Sequence, residues 1–286
     1  MRMSRVIGRQ TSATLVLIPL GFCVASFVPQ ATVLDRYDLR SEPAARLALP
    51  SDLREISGLA VSADGSVFAH DDESAEIHVI DAATGKGLRS FGPGRNVIEG
   101  DFEGLATVDE RLFIIVSDGT ILEFPVGAVE GVRTQYRRHA TGLGRVCEIE
   151  GLAYDARSEE LLAACKSMHK GGPPGIYAFN PRTGQLDPRP RFAVRLPSGD
   201  EVSPSGLAIH PATGHLILVA ARENLVVELD RQGTVIATQE LDGRNHLQAE
   251  GIEFLPDGSL IISDEGGGHR RPSYIAVYAP AGREPS

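Results

Sequence analysis

CEIEGLAYD at 147–155 places a glutamate directly before a glycine at the start of an apolar run. The pattern returns as GDFEGLA (100–106) and QAEGIEF (248–254), and with serine before the glycine as EISGLAV (55–61) and SPSGLAI (203–209). The five residues that precede these glycines, the marker residues, are Ser57, Glu103, Glu150, Ser205 and Glu250. Their intervals are 46, 47, 55 and 45 residues, a period typical of a four-stranded propeller blade.

Each repeat contains three short runs rich in Val, Ile, Leu and aromatic residues, as in EGLAY, ELLAAC and GIYAF of the third repeat. Asp64-Gly65 and Asp257-Gly258 are hairpin dipeptides between the first and second runs, because glycine tolerates a positive φ. No stretch beyond residue 30 keeps the 3.6-residue apolar period of a helix. The sequence therefore predicts an all-β fold, a five-bladed β-propeller over residues 44–280 with a short tail at 281–286.

The fifth repeat lacks a run for its outer strand, since the chain ends soon after YIAVY. An incomplete last blade would leave an open sheet edge. ARLALPS (45–51) precedes the first repeat much as FAVRLPS (192–198) precedes the fourth. We therefore expect residues 44–50 to supply the missing strand and to close the ring.

The N-terminus has the pattern of an export signal. Arg2, Arg5 and Arg9 precede the uncharged run ATLVLIPLGFCVASFV at 13–28. This run is somewhat short for a membrane span of about 20 residues, so a cleaved signal peptide and a retained anchor both remain open for residues 1–30. We expect an exported protein, either periplasmic or tethered to the inner membrane through residues 11–28 and facing the periplasm, with a linker at 31–43.

The charge balance is acidic, with a formal net charge of −10. No run of Lys and Arg suggests nucleic-acid binding, which needs clustered positive charge. An acidic balance suits solubility and cation binding. We expect a monomer whose partner is a small molecule or an envelope protein.

The marker residues should converge at one mouth of the central channel, because the first strand of each blade lies nearest the axis. Clustered carboxylates repel one another, and either a cation or Lys166 and Arg222 could neutralise them. Hard oxygen ligands without His or Cys favour Ca²⁺. The predicted metal ligands are Glu103, Glu150 and Glu250, with Asp264, Asp72 and Asp118 as helpers. Crowding of five strands at the axis explains the glycines.

Four further residues near the same mouth are candidates for ligand binding: Lys166, Arg222, Glu148 and His70. Lys166 could hold an anionic group, and an ion pair with Glu148 or Glu150 is the alternative. His70 could act as a base beside a metal, and a core histidine without a chemical role is the alternative.

Cys147 and Cys165 lie on neighbouring strands of the third repeat. In an oxidising compartment two such thiols can pair. Because disulfide geometry is strict, both a Cys147–Cys165 disulfide and two free thiols remain open.

EISGLA followed by HDDES, GDFEGLA, CEIEGLAYD and QAEGIEF with PDGSLIISDE resemble the SdiA-regulated family of exported bacterial proteins, over roughly residues 45–280. The resemblance implies a five-bladed propeller with a calcium ion near the channel and a distant kinship to NHL-repeat propellers. Some of those relatives are metal-dependent lactonases or esterases.

Two functions follow as expectations. The first is an exported calcium-binding propeller of the cell envelope that binds a ligand or a partner without catalysis. The alternative is a calcium-dependent hydrolase of lactones, esters or phosphoesters, with its site at the channel mouth. No nucleophile elbow, HExxH motif or phosphate-binding loop supports the second function.

Overall fold

The computed structural model describes residues 32–267 and 271–281. Their strands form five sheets that are arranged as the blades of a β-propeller, as the repeat predicted. In chain order, the strands of the first half are β1 (Ala45–Ala48), β2 (Ile56–Val61), β3 (Val67–Asp71), β4 (Ile77–Ile80), β5 (Gly87–Pro93), β6 (Phe102–Val108), β7 (Arg111–Val116), β8 (Thr120–Pro125), β9 (Val132–Thr134) and β10 (Arg137–Ala140). The second half contains β11 (Cys147–Asp155), β12 (Glu160–Met168), β13 (Gly175–Asn180), β14 (Gln185–Leu186), β15 (Phe192–Ala193), β16 (Gly206–Ile209), β17 (Leu216–Ala220), β18 (Leu225–Leu229), β19 (Val235–Glu240), β20 (Ala249–Phe254), β21 (Leu260–Asp264) and β22 (Tyr274–Tyr278).

The blades follow the chain. Their strand orders are β2-β3-β4-β5-β9 for blade 1, β6-β7-β8-β10 for blade 2, β11-β12-β13-β14 with β15 also on β13 for blade 3, β16-β17-β18-β19 for blade 4, and β20-β21-β22-β1 for blade 5. Within each blade consecutive strands are antiparallel, while β9 pairs with β5 in parallel. Three short 3₁₀ helices lie at Leu34–Arg36, Ser51–Leu53 and Leu143–Arg145.

The N-terminal strand closes the fifth blade. β1 pairs antiparallel with β22, with Arg46 opposite Ala276 and Leu47 opposite Ile275. Leu47 and Ile275 then join an apolar cluster shared with blade 1. The prediction that residues 44–50 supply the closing strand is therefore confirmed, and β22 pairs with β21 on one side and with β1 on the other.

The segment before β1, which the sequence predicted as part of a linker at 31–43, packs against blades 4 and 5. Val33, Leu34 and Leu39 are buried in the core cluster that these blades share. The backbone N–H groups of Val33 and Leu34 donate to the buried carboxylate of Glu228 at 2.8 and 2.9 Å. This carboxylate also contacts His215 Nδ1 at 2.6 Å, so a polar anchor fixes the segment.

Apolar side chains fill the spaces between neighbouring blades. Phe68 and Phe91 of blade 1 pack edge to face at 6.3 Å in a cluster that includes Phe102 and Phe124 of blade 2. Burial of one such ring stabilises the fold by roughly 2–3 kcal/mol. The predicted hairpin glycines Gly65 and Gly258 both have φ of 86°, which a residue with a side chain rarely adopts.

The predicted N-terminal segment 1–30 and all of the predicted tail 281–286 except Ala281 lie outside the described residues. Among residues 32–267 and 271–281, no helix has the length and apolar character needed to cross a bilayer.

Candidate functional site

The marker residues meet on the propeller axis. Ser57, Glu103, Glu150 and Glu250 line a small cavity together with the glycines that follow them. Its volume of about 10 Å³ is room for about one water molecule. The fifth marker, Ser205, does not line this cavity: its Oγ donates to Ala249 O at 2.7 Å and so ties blade 4 to blade 5.

A β-bulge aims the side chains of three markers at the axis. In β2, β6 and β11 the marker is an extra residue that has no partner on the next strand. For Glu150 the register passes from Ile149 opposite Cys165 to Gly151 opposite Ala164. Such a bulge bends the strand and redirects a side chain, so the carboxyl groups of Glu103 and Glu150 face the channel.

The glycine after each marker lies against the innermost strand of the next blade. A Cβ added to Gly104 would lie 2.6 Å from Leu152 N, and one on Gly151 would lie 3.0 Å from Leu207 N. The same contact recurs around the ring, with Gly58 against Leu105, Gly206 against Glu250 and Gly251 against Leu59. These short distances confirm that the innermost strands are crowded at the axis and leave no room for a side chain at the glycines.

The three marker glutamates differ in their electrostatic surroundings. Lys166 Nζ donates to Glu150 Oε1 at 2.7 Å. Ser57 Oγ makes a long contact of 3.4 Å to Glu103 Oε2, and burial, followed by the charge of Glu150, raises the pKa of Glu103 to about 8. Burial likewise raises the pKa of Glu250 well above its usual range. At neutral pH, Glu103 is therefore largely protonated.

Carboxylate oxygens converge more closely beside this cavity, at the mouth. Glu55, Asp71 and Asp72 each offer an oxygen within 4.8 Å of the others, and we call this set the mouth cluster. Asp72 Oδ1 is buried without a hydrogen-bond partner among the described residues. Burial and the neighbouring carboxylates raise the pKa of Asp72 to about 6 and that of Glu265 to about 7.

The mouth cluster fits a hard cation. Its donors are carboxylate oxygens without sulfur or imidazole, the set that Ca²⁺ prefers. A cation there would supply the partner that Asp72 Oδ1 lacks and would offset the repulsion among the acids. Of the predicted metal ligands, only Asp72 belongs to this cluster; Glu103, Glu150 and Glu250 line the cavity on the axis.

The other two predicted helpers make structural contacts. Asp264 accepts hydrogen bonds from His246 Nδ1 at 2.6 Å and from Gln248 N at 3.2 Å, and it is fully buried. Asp118 is exposed and accepts from Thr120 N at 2.7 Å in the turn after β7. Neither side chain lines the channel cavity.

His70 is a core histidine. It is fully buried opposite Gly58, and its Nδ1 lies 3.0 Å from Asp71 O. Burial lowers the pKa of His70 to about 4, so the ring is neutral at physiological pH.

Lys166 and Arg222 line one surface pocket of about 500 Å³ between blades 3 and 4, which we call the upper pocket. Arg195 lines it as well, and neither arginine has an ion pair or hydrogen bond with another residue of the described structure. Glu148 accepts from Ser167 Oγ at 3.0 Å and lies 3.9 Å from Lys166 Nζ. Because Lys166 also contacts Glu150, the upper pocket adjoins the channel.

Cys147 and Cys165 are joined by a disulfide with a Cα–Cα distance of 5.8 Å. The register shifts around Ile149 place Cys165 opposite that residue, one position nearer Cys147 than a regular hairpin would. The bond therefore fixes the bulge that carries Glu150.

Sequence reasoning did not select Glu55, Asp71, Glu265 or Arg195. Asp71 directly precedes the selected Asp72, and Glu55 lies two residues before the marker Ser57, so the signal was an acidic residue close to a position that the repeat had singled out. The bulge at Ser57 determines that Glu55 lies close to Asp71 and Asp72. A bulge cannot be predicted from residue spacing or composition.

Residues 190–270 match the model of the SdiA-regulated family. Among solved structures, the chain is similar to a glutaminyl cyclase of Myxococcus xanthus, with 15% identity, a TM-score of 0.61, and coverage of 84% of this chain and 95% of that one. A luciferin-regenerating enzyme matches at 10% identity and a TM-score of 0.52, covering 83% and 96%. A regucalcin of Agrobacterium tumefaciens, described as calcium-binding, matches at 14% identity and a TM-score of 0.50, covering 85% and 96%.

At these identities the structural likeness establishes the fold alone. The family match confirms the resemblance that the repeated motifs indicated, on the part of the chain that holds blade 4 and the start of blade 5. The chain is thus a five-bladed β-propeller with an SdiA-regulated family match over residues 190–270.

Proposed function

We propose that this protein is a calcium-binding propeller that holds the ion at the mouth of its channel through Glu55, Asp71 and Asp72. The observation that carries the proposal is the buried, unpaired Oδ1 of Asp72 within a set of three converging carboxylates. The calcium-binding regucalcin with the same fold supports this assignment as an analogy.

A calorimetric calcium titration tests the ion site. Wild-type protein should bind calcium with a defined stoichiometry, and Asp72→Asn should weaken binding at least tenfold by removing a charged ligand. Asp118→Asn is the matched control, because Asp118 is exposed and is not one of the three converging carboxylates, and it should bind as wild type does. Equal affinity in all three proteins would contradict the assignment.

The upper pocket supports a binding function for a small anionic ligand. Arg195 and Arg222 present guanidinium groups to a pocket large enough for a small molecule. Succinate and citrate are suitable probes: they should raise the melting temperature of wild type, whereas the double variant Arg195→Ala/Arg222→Ala should not respond. Arg189→Ala, outside the pocket, is the control. A response that survives loss of both arginines would contradict an anion site.

A calcium-dependent hydrolase remains a second candidate because of Glu103. A carboxyl group with a pKa of about 8 can serve as a proton donor at neutral pH, and bound calcium would supply a Lewis acid. Lactone, aryl ester and phosphoester substrates should be assayed with and without EDTA. Calcium-dependent turnover that disappears in both Glu103→Gln and Glu150→Gln would establish the enzyme and end the binding-only proposal.

We propose further that the protein works outside the cytoplasm. The Cys147–Cys165 disulfide supports this, since such bonds persist in oxidising compartments. Fractionation of the producing cell should recover the protein with the periplasm or the membrane, with no free thiol detected at these two positions. Recovery in the cytoplasm with both thiols free would contradict export.

A further inference from the structure

One position in β20 departs from the repeat. Three residues after the marker, four blades carry a buried alanine: Ala60, Ala106, Ala153 and Ala208. Glu253 occupies the equivalent place in blade 5, and its register with Ile261 matches that of Ala208 with Ile217. A small apolar residue is thus sufficient for the fold at this position, and the glutamate needs another explanation.

Glu253 lines a cavity at the end of the channel opposite the markers. The cavity has a volume of about 630 Å³, and the ends of the innermost strands of all five blades surround it; we call it the lower funnel. Its apolar walls include Val61, Ile209 and Phe254, and the ring of Tyr154 lines it as well. A cavity of this size accommodates a small organic molecule.

The carboxyl group of Glu253 has one hydrogen bond, from Phe254 N to its Oε2 at 2.9 Å. The other titratable groups that line the funnel are Arg36, Tyr154, His210 and Asp257. Within the described structure, Arg36, Tyr154 and His210 make no ion pair or hydrogen bond with Glu253. Burial raises the pKa of Glu253 to about 8 and lowers that of His210. Within residues 32–267 and 271–281, no ion pair of Glu253 with a basic side chain is present.

We propose that the lower funnel binds a small organic cation, an ammonium group on an apolar body, with Glu253 as its counter-ion. A partly buried carboxylate without a counter-ion is costly, and an ammonium ligand reduces that cost. The apolar walls suit the body of the ligand. Asp257 and the net charge of −10 also favour a cation over an anion. Arg36 also lines the funnel, and its positive charge opposes a cation there, while Asp257 carries the opposite charge.

Binding should be coupled to loss of a proton from Glu253. The ammonium pairs with the ionised carboxylate, and the ionised fraction at a pKa of about 8 falls from one half at pH 8 to about one in a hundred at pH 6. The apparent affinity should therefore fall roughly 50-fold between these pH values, because the competent form becomes scarce.

Calorimetry with phenethylammonium chloride at pH 8 and pH 6 tests the proposal. Wild type should bind more tightly at pH 8 and release a proton, and neutral phenethyl alcohol should bind much more weakly. Glu253→Gln should lose the pH dependence and at least tenfold in affinity at pH 8. Glu253→Ala restores the residue of the other four blades, so it should fold, melt no lower than wild type at pH 8, and fail to bind the cation.

Glu240→Gln replaces an exposed glutamate at the end of β19; it is the matched control and should bind as wild type does. Equal binding of the alcohol and the ammonium, unchanged affinity in Glu253→Gln, or the absence of saturable binding would each overturn the proposal. None of these outcomes bears on calcium, because the mouth cluster lies at the other end of the innermost strands.

Discussion

Glu103 and Glu150 show how the same motif yields two different acids. Both are bulge residues before a glycine, and both face the axis. Lys166 donates to Glu150, whereas burial and the charges of Glu150 and Asp101 favour the protonated form of Glu103, so Glu103 retains its proton at a higher pH than a surface carboxyl does. The sequence indicated both residues and offered an ion pair of Lys166 with Glu148 or Glu150 as one alternative, and the structure has that pair at Glu150. The high pKa of Glu103 was not predicted, because it depends on burial at the axis.

The raised pKa of Glu103 predicts that stability falls as the pH rises. Folding raises this pKa from 4.5 to about 8, so the contribution of Glu103 is fully present below about pH 4.5 and is lost as the pH rises through 8. With EDTA present, the free energy of unfolding should fall less steeply with pH in Glu103→Gln than in wild type. The difference between the two slopes should be up to about 1.4 kcal/mol per pH unit. Urea unfolding between pH 5 and pH 8 measures this, with the exposed Glu110→Gln as control. If the free energy of unfolding depends on pH in the same way in wild type and in Glu103→Gln, the raised pKa of Glu103 is contradicted.

At the scale of elements, the innermost strands β2, β6, β11, β16 and β20 pack so closely that each needs a glycine facing its neighbour. The three inner strands of each blade could be predicted because hairpin spacing and β-rich runs are local signals. The outer strands could not all be predicted: β9 pairs in parallel across a loop, and β14 and β15 have two residues each. Their pairing depends on contacts between blades rather than on local pattern.

Gly104→Ala tests the packing of the ring. The new Cβ would lie 2.6 Å from Leu152 N, a backbone atom that cannot move aside without shifting β11. We expect a loss of about 2–3 kcal/mol in the free energy of unfolding, measured by urea denaturation. Gly243→Ala, whose Cβ would meet Asn224 only at ordinary contact distance, should change stability by less than about 0.5 kcal/mol. Equal effects of the two substitutions would argue against a crowded axis.

The disulfide gives a second test between elements. Replacement of Cys147 and Cys165 by serine should cost roughly 3 kcal/mol, as expected for a loop of this length. Denaturation of wild type with and without reductant should show the same loss. If neither the variant nor reduction lowers stability, the bond contributes little to the fold.

At the scale of the whole molecule, the ring depends on a strand from the other end of the chain. β1 covers the edge of β22 and supplies Leu47 to the cluster between blades 5 and 1. This closure could be predicted because a propeller cannot leave a blade incomplete. The residues of the candidate metal site were less predictable. Asp264 is hydrogen-bonded to His246, which lies in the loop before β20. The bulge at Ser57 brings Glu55 close to Asp71 and Asp72.

Removal of the closing strand should abolish cooperative unfolding. A chain that begins at Pro50 lacks β1 and the packed segment before it, whereas a chain that begins at Thr32 retains both. Calorimetry should show a single sharp transition for the longer chain and a broad or absent one for the shorter chain. Two identical transitions would show that β1 does not close the ring.

Diffraction from crystals grown with calcium tests the central claim most directly. Anomalous difference density should show one ion at the mouth, about 2.3–2.6 Å from carboxylate oxygens of Glu55, Asp71 and Asp72. An ion held instead among Glu103, Glu150 and Glu250, or no ion at calcium concentrations that saturate the solution titration, would contradict the assignment of the mouth cluster.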